Sequence, residues 1–308
     1  MAASVRVGMF PPLSLTGLSA TRLAHALAEV ADAGLDHVCC GDHVSFGPPG
    51  FGMDGLVQAT AMLTLHPSLP VHVGVYQLSL RHPVLVARQL VDVDQLAPGR
   101  LLLGVGIAGE DRHEVEIVGV DPATRGRRTD ECLTVLRELT TGRPCTFHGE
   151  FFDIDAAVVA PALSAHVPII VGGRSDAAAV RAGRLGDGWL GIWNSPRRFA
   201  EVVGLVAEAA AAAGRTDQPT RHAMQVWCGF GPSREAARAP LAAAMQTMYG
   251  LPFESFERYS PYGTPDDVAE FLSGYVQAGC VELNLIPQSA DPASLAGAVA
   301  DVKALLSR

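Results

Sequence analysis

The sequence predicts an α/β chain folded as a (β/α)8 TIM barrel with a small insertion after the fourth strand, one domain over residues 1–308. Three observations predict it. Short apolar runs alternate with helical patterns eight times along the chain, which favours a closed parallel barrel over an open sheet. Charged residues make up 18% of the chain against roughly 25% in ordinary soluble domains, so most segments must be covered on one side. A chain of 308 residues also buries about 75% of its extended surface and needs no disulfide or metal to fold.

Val5 to Phe10 is a short apolar run stopped by Pro11 and Pro12, so it reads as a strand followed by a loop. Leu23, Leu27, Val30 and Ala31 recur at helical spacing, and Gly34 stands where a left-handed cap belongs. His37 to Gly41 is the second strand. Next come a helix from about Asp54 to Leu65, a strand from Val71 to Val75, a proline-led helix from Pro83 to Leu96 and a strand from Leu101 to Val105. In the Pro83 helix, Arg88, Gln89, Asp92 and Gln95 share one face. A helix from about Arg127 to Thr140 buries Leu133, Leu136 and Leu139 and stops at Gly142. Arg143 to Asp155 instead alternates aromatic and polar residues around His148-Gly149, the pattern of an inserted hairpin. The alternation resumes with strand Ile169–Val171, helix Asp176–Arg184, strand Trp189–Trp193 and helix Pro196–Ala213. Strand Met224–Phe230, helical stretches Ser233–Tyr249 and Pro265–Ala278, strand Val281–Ile286 and helix Pro292–Leu306 complete the set.

Composition excludes several functions. A net charge of −9 and a pI near 5.5 leave no basic stripe for nucleic acid. No apolar signal core and no run long enough to span a bilayer is found, so a cytoplasmic protein is expected. Cys39, Cys40, Cys132, Cys145, Cys228 and Cys280 show neither a paired motif nor a zinc spacing and read as reduced, buried thiols. Lys303 is the sole lysine and belongs to the last amphipathic helix, which removes Schiff-base chemistry.

Barrel chemistry sits at the carboxyl ends of the strands. The candidates there are Phe10, Asp42-His43, the Gly74–Leu80 and Gly104–Glu114 loops, Gly172–Ser175 and Trp193-Asn194. Gly104 to Gly109 satisfies G-x-G-x-x-G, but it follows the fourth strand and lacks the acid about twenty residues on, so a Rossmann turn is rejected. Gly172-Gly173-Arg174-Ser175 lies between an apolar strand and a helix, where free N–H groups and the helix dipole hold a phosphate. His43 can bond a ring or carry a proton. Arg125, Arg127 and Arg128 read as a solvated helix start, and His82 as a helix-start residue before Pro83.

Seven stretches resemble the luciferase-like monooxygenase superfamily, which includes enzymes that use the deazaflavin coenzyme F-420. They are Ala33-Gly-Leu-Asp-His-Val-Cys-Cys-Gly-Asp-His43, Gly74-Val-Tyr-Gln-Leu-Ser-Leu-Arg-His-Pro83, Gly99-Arg-Leu-Leu-Leu-Gly-Val-Gly106, Arg125-Gly-Arg-Arg128, Phe147-His-Gly-Glu-Phe151, Val171-Gly-Gly173 and Gly186-Asp-Gly-Trp189. They follow the family's order over nearly the whole chain. The resemblance implies a non-covalent flavin or deazaflavin and a homodimer. It implies contacts to the ring from Asp42, His43 and His113, and a non-proline cis peptide at Gly74-Val75 beneath it. Close approach of the ring to Gly106 and a tail phosphate on Gly172, Gly173, Arg174 and Ser175 are also implied. Glu110 matches a proton-donating acid of some deazaflavin-dependent members, with Glu114 as its rival; a carboxyl beside an apolar ring has its pKa raised and acts as a general acid.

The expected function is hydride transfer between coenzyme F-420 and a small organic substrate. The alternatives are an FMN-dependent monooxygenase acting with O2 on an apolar substrate and a non-catalytic flavin-binding barrel. No metal is expected: Asp42, His43, His82 and His113 lack the first-strand H-x-H of barrel hydrolases. Phe46, Phe51, Tyr76, Trp193 and Trp227 suggest an apolar pocket.

Overall fold

A computed structural model describes residues 5–13, 18–46, 53–108, 111–215 and 221–307. Among them the strands are, in chain order, β1 (Arg6–Met9), β2 (His37–Cys40), β3 (Val71–Gln77), β4 (Leu101–Gly106), β5 (Cys145–His148), β6 (Asp153–Ala157), β7 (Ile169–Gly172), β8 (Gly188–Ile192), β9 (Ala223–Phe230), β10 (Tyr262–Gly263) and β11 (Glu282–Gln288). Parallel pairing runs β9-β11-β1-β2-β3-β4-β7-β8, and β8 pairs back onto β9, closing an eight-stranded barrel among the described residues. β5 and β6 form a separate antiparallel hairpin after the fourth barrel strand. The two-residue β10 extends β9 on the outside, a pairing the sequence pattern did not anticipate.

The helices are α1 (Ala20–Asp32), α2 (Gly55–Leu65), α3 (Pro83–Leu96), α4 (Arg112–Glu116), α5 (Arg125–Leu139), α6 (Asp176–Leu185), α7 (Pro196–Ala212), α8 (Arg234–Tyr249), α9 (Pro265–Gln277) and α10 (Leu295–Leu306). Their starts follow from side-chain caps: Ser19, Asp54, Ser175, Ser195 and Ser233 each accept a backbone N–H of the first turn, and Thr264 and Asp267 form a reciprocal capping box. Gly34 ends α1 at φ +75°, the left-handed conformation that glycine adopts without a Cβ clash. The five-residue α4 is too short to leave a helical period in the sequence, and it was read as loop. Among the described residues no helix is long and apolar enough to cross a membrane.

One apolar layer fills the space between strands and helices, with Val7, Leu27, Val38, Leu63, Val71 and Leu103 sealed within it. The barrel interior is layered differently. At the amino ends of the strands His37, His72, Glu282 and Asn284 form a buried polar floor. A Cβ at Gly8 would stand 2.4 Å from the His37 ring, so β1 needs glycine where the imidazole lies. Above the floor, Ile170, Leu190 and Ala223 pack with Val75. All six cysteines are buried and free.

Candidate active site

The carboxyl ends of the strands open into a cavity of about 920 Å³, within the size range of small-molecule sites. Its lower end is set by β3, whose register shifts between Val73 and Tyr76 and whose Gly74–Val75 peptide is cis. The bulge turns Val75 inward. Its methyl carbons would meet a Cβ on Gly106 at 2.5 Å and one on Gly172 at 2.8 Å, so both neighbouring strand ends require glycine. Gly74, Val75, Gly106 and Gly172 thus form an apolar shelf that lines the cavity.

Gly173, Arg174 and Ser175 line the same cavity beyond β7. Gly173 has φ +141°, and a Cβ there would reach Ala178 at 2.7 Å, so backbone runs open to the cavity. Ser175 caps α6 by accepting the Ala178 N–H, which leaves other first-turn N–H groups and the positive helix end for an anion. Arg174 adds a full charge, its guanidinium lying 5.3 Å from the centre of the Trp193 ring.

His43 lines the opposite side. Its Nδ1 is 3.2 Å from Glu114 Oε2, which also accepts from Gln77 Nε2 at 3.0 Å. Glu114 Oε1 accepts the backbone N–H groups of Val44 and Ser45 at 2.6 and 3.0 Å. Burial pushes the Glu114 carboxyl up, but the Gln77 amide, the Ser45 and Val44 N–H groups and His43 outweigh it and hold the pKa below the usual range. Nδ1 also lies 3.1 Å from Gln77 Nε2, an amide donor, so it stands between that donor and a carboxylate that only accepts; in the tautomer that donates Nδ1–H to Glu114, the basic lone pair of His43 is on Nε2. Phe46 stacks on the ring, centroids 4.3 Å apart.

Several sequence expectations are corrected here. Glu114 is not a general acid with a raised pKa: it is 0% exposed, does not line the cavity among the described residues, and its oxygens are filled by donors. His113, expected beside the ring, is exposed on α4 and points away, because α4 turns Glu114 and Val115 inward instead. Asp42 lines the cavity, but its carboxylate is committed to a bidentate Arg81 pair at 2.7 and 2.8 Å and to the N–H groups of Gly55 and Gln77. Burial raises its pKa even against that guanidinium. Tyr76 is sealed beneath Arg81, outside the cavity. Glu110 and Phe51 lie outside the described residues.

His82 accepts the Val84 N–H at the start of α3. Arg127 pairs with Glu150 on the surface, and Arg128 donates to Ser79 O. Asp42, His43, His82 and His113 therefore make no common centre.

Sequence reasoning missed Gln225, Met248 and Tyr249, and it took in Gln77 only as part of the Gly74–Leu80 stretch. The first three line the cavity with Trp193 and Trp227, and a methionine-tyrosine pair at the end of a helix carries no sequence signal. Gln77 is 3% exposed and is drawn in only because β3 runs two residues past the predicted end.

The luciferase-like monooxygenase profile matches residues 9–261. An uncharacterized protein of Mycobacterium tuberculosis is 40% identical over 142 residues, 46% of this chain and 49% of that protein. The chain thus spans about half the length of these curated relatives in the matched region. An F-420-dependent glucose-6-phosphate dehydrogenase of Kineococcus radiotolerans is 27% identical over 291 residues, covering 85% of this chain and 86% of the relative. Among solved structures, an F-420-dependent secondary alcohol dehydrogenase in complex with an F-420–acetone adduct superposes with a TM-score of 0.87, at 20% identity over 99% of this chain and 100% of that one. The oxygenating constituent of 3,6-diketocamphane monooxygenase from Pseudomonas putida, in complex with FMN, gives 0.78 at 18% identity over 99% and 98%. At such identities the two structures attest the fold, and it is the profile match across residues 9–261 that shows this chain to be a member of the luciferase-like monooxygenase family.

Proposed function

We propose that this chain is an oxidoreductase that binds a flavin-type cofactor in the barrel mouth and uses the deazaflavin F-420 to move hydride to or from a small organic substrate. The observation that carries the reading is His43, a cavity-lining imidazole whose Nδ1 is held by a buried carboxylate and the Gln77 amide. When bound, the deazaflavin supplies a carbon that takes or gives hydride. The chain handles the proton: His43 Nε2 accepts it from a substrate hydroxyl, or returns it to a carbonyl oxygen, while Glu114 and Gln77 keep the ring in place. The Val75 shelf fits a flat ring face, and Gly172–Ser175 with the α6 start fits a phosphate on the tail.

The choice of F-420 is supported by the Kineococcus radiotolerans relative, which aligns over most of both chains. FMN with O2 is the second reading, favoured by the FMN-bound neighbour. Titration of the purified protein with each cofactor, followed by ring fluorescence, tests the choice. Saturable quenching of F-420, with F-420 reduced or oxidised anaerobically on adding substrate, is expected. Tight FMN binding with substrate-dependent O2 uptake and no F-420 affinity would overturn it.

A further inference from the structure

A wall of rings from β8, β9 and α8 lines the cavity, and Arg174 beside the α6 start stands against its Trp193 edge, 5.3 Å from the ring centre. Trp193 meets Tyr249 edge-on at 5.0 Å, Trp227 meets Tyr249 at 5.9 Å, and Met248 and Ile286 fill the gaps. The polar tips of Trp227 and Tyr249 are turned on each other, Nε1 donating to the phenol oxygen at 3.1 Å, so the wall offers faces and edges to a ligand.

Cations are scarce in the lining. Among the described residues Arg174 is the one lysine or arginine that lines the cavity, and Arg81 is spent on Asp42 and Asp54. Lys303, the single lysine, is bound to Asp36 and Gly34 O at the amino end of the barrel. With Arg174 and the α6 start given to the cofactor tail, a phosphate or carboxylate on the substrate meets no second lysine or arginine among the described lining residues, and an unpaired charge is not stable against rings.

We infer that the substrate is an uncharged alcohol or ketone with an aromatic or cyclic aliphatic body, and that a sugar phosphate is excluded. The inference rests on the proposed cofactor binding and hydride transfer for its chemistry and its charge argument, but the wall stands without them. In the oxidising direction a bound deazaflavin would take the carbinol hydrogen as hydride, His43 would accept the hydroxyl proton, and the C–O bond would become a ketone carbonyl. The ring-bearing body lies on Trp227 and Tyr249, and aromatic faces reward such contact beyond its area.

Tryptophan emission gives a readout that needs no turnover, because two of the chain's three tryptophans stand in the wall. The protein, with and without F-420, is titrated with 1-phenylethanol, cyclohexanol and glucose 6-phosphate. Saturable emission change with either alcohol and none with glucose 6-phosphate is expected. Trp227→Leu and, separately, Tyr249→Leu should weaken alcohol binding at least tenfold with F-420 affinity retained. Tighter binding of glucose 6-phosphate than of both alcohols, or alcohol affinity unchanged in both variants, would overturn the inference. Alcohol binding in a protein with no F-420 affinity would sink the cofactor reading and leave the wall's specificity standing.

Discussion

Two histidine–glutamate pairs stand at opposite ends of the barrel. At the mouth, His43 Nδ1 lies 3.2 Å from Glu114, and the ring is 15% exposed on the cavity. At the floor, His72 Nδ1 lies 2.5 Å from Glu282 with both side chains sealed, and Asn284 links His72 to His37 at 3.1 and 2.7 Å. Burial pushes Glu282 up, yet His37, His72 and Arg6 together hold it far below the usual carboxylate range. The chemistry of the two pairs is the same; access differs. An imidazole can exchange protons with a ligand only where one side of it meets a cavity, so the mouth pair can work and the floor pair can only hold.

The floor also brings one donor atom each from His37, His72 and Glu282 within 4.8 Å of one another. Zinc bonds of about 2.0–2.1 Å in a tetrahedron separate ligand atoms by roughly 3.3 Å. The 2.5 Å between His72 and Glu282 is instead a hydrogen-bond distance.

Opposite substitutions would break or confirm this contrast. Glu282→Ala leaves a sealed imidazole without its partner and should cost about 3–5 kcal/mol of stability, read from urea denaturation, while turnover per folded molecule is kept. His43→Asn should lower kcat about 10²–10⁴-fold while its unfolding midpoint moves by no more than about 0.5 kcal/mol. If Glu282→Ala lost turnover at full stability, or His43→Asn lost stability at full turnover, the two ends would have been assigned the wrong way round.

Glu114 sharpens the same comparison, since it is as buried as the floor carboxylate but serves the mouth. Hydrogen bonds to a charged group are worth about 1.5–3 kcal/mol, and Glu114→Gln should lower kcat roughly 10–100-fold with F-420 affinity unchanged. A lowered unfolding midpoint with kcat intact would make Glu114 a purely structural anchor for the Val44–Ser45 turn.

The mouth was more legible than the floor. Glycines and a capping serine between a strand and a helix mark where backbone can face an anion, so Gly172–Ser175 could be read from the chain, while Gly74 and Gly106 came with the family resemblance. The place of Glu114 could not, because it depends on which side chains the single turn of α4 swings inward. His72 and Glu282 are 210 residues apart, and each looked like an isolated polar residue in an apolar run. The available signal was period two: His72 with Gly74, and Glu282 with Asn284, alternate with apolar neighbours as inward-facing barrel residues do.

The floor end should also govern stability in mild acid. His222, just before β9, is 6% exposed, and burial lowers its pKa from 6.5 to about 4; burial lowers His37 as well. Between those values the unfolded chain binds a proton that the folded chain refuses, so stability is complete above about pH 6.5 and falls as the pH drops towards 4. His222 alone accounts for about 2 kcal/mol between pH 7.5 and 5. Glu114 and Glu282, with lowered pKa values, give up their contributions only below the ordinary glutamate value of about 4.3, so this window reports the histidines. Thermal unfolding should show a lower Tm at pH 5 than at 7.5, and His222→Phe should flatten the difference. An equal drop in His222→Phe would shift the acid sensitivity away from this position, leaving His37 to be tested in its place.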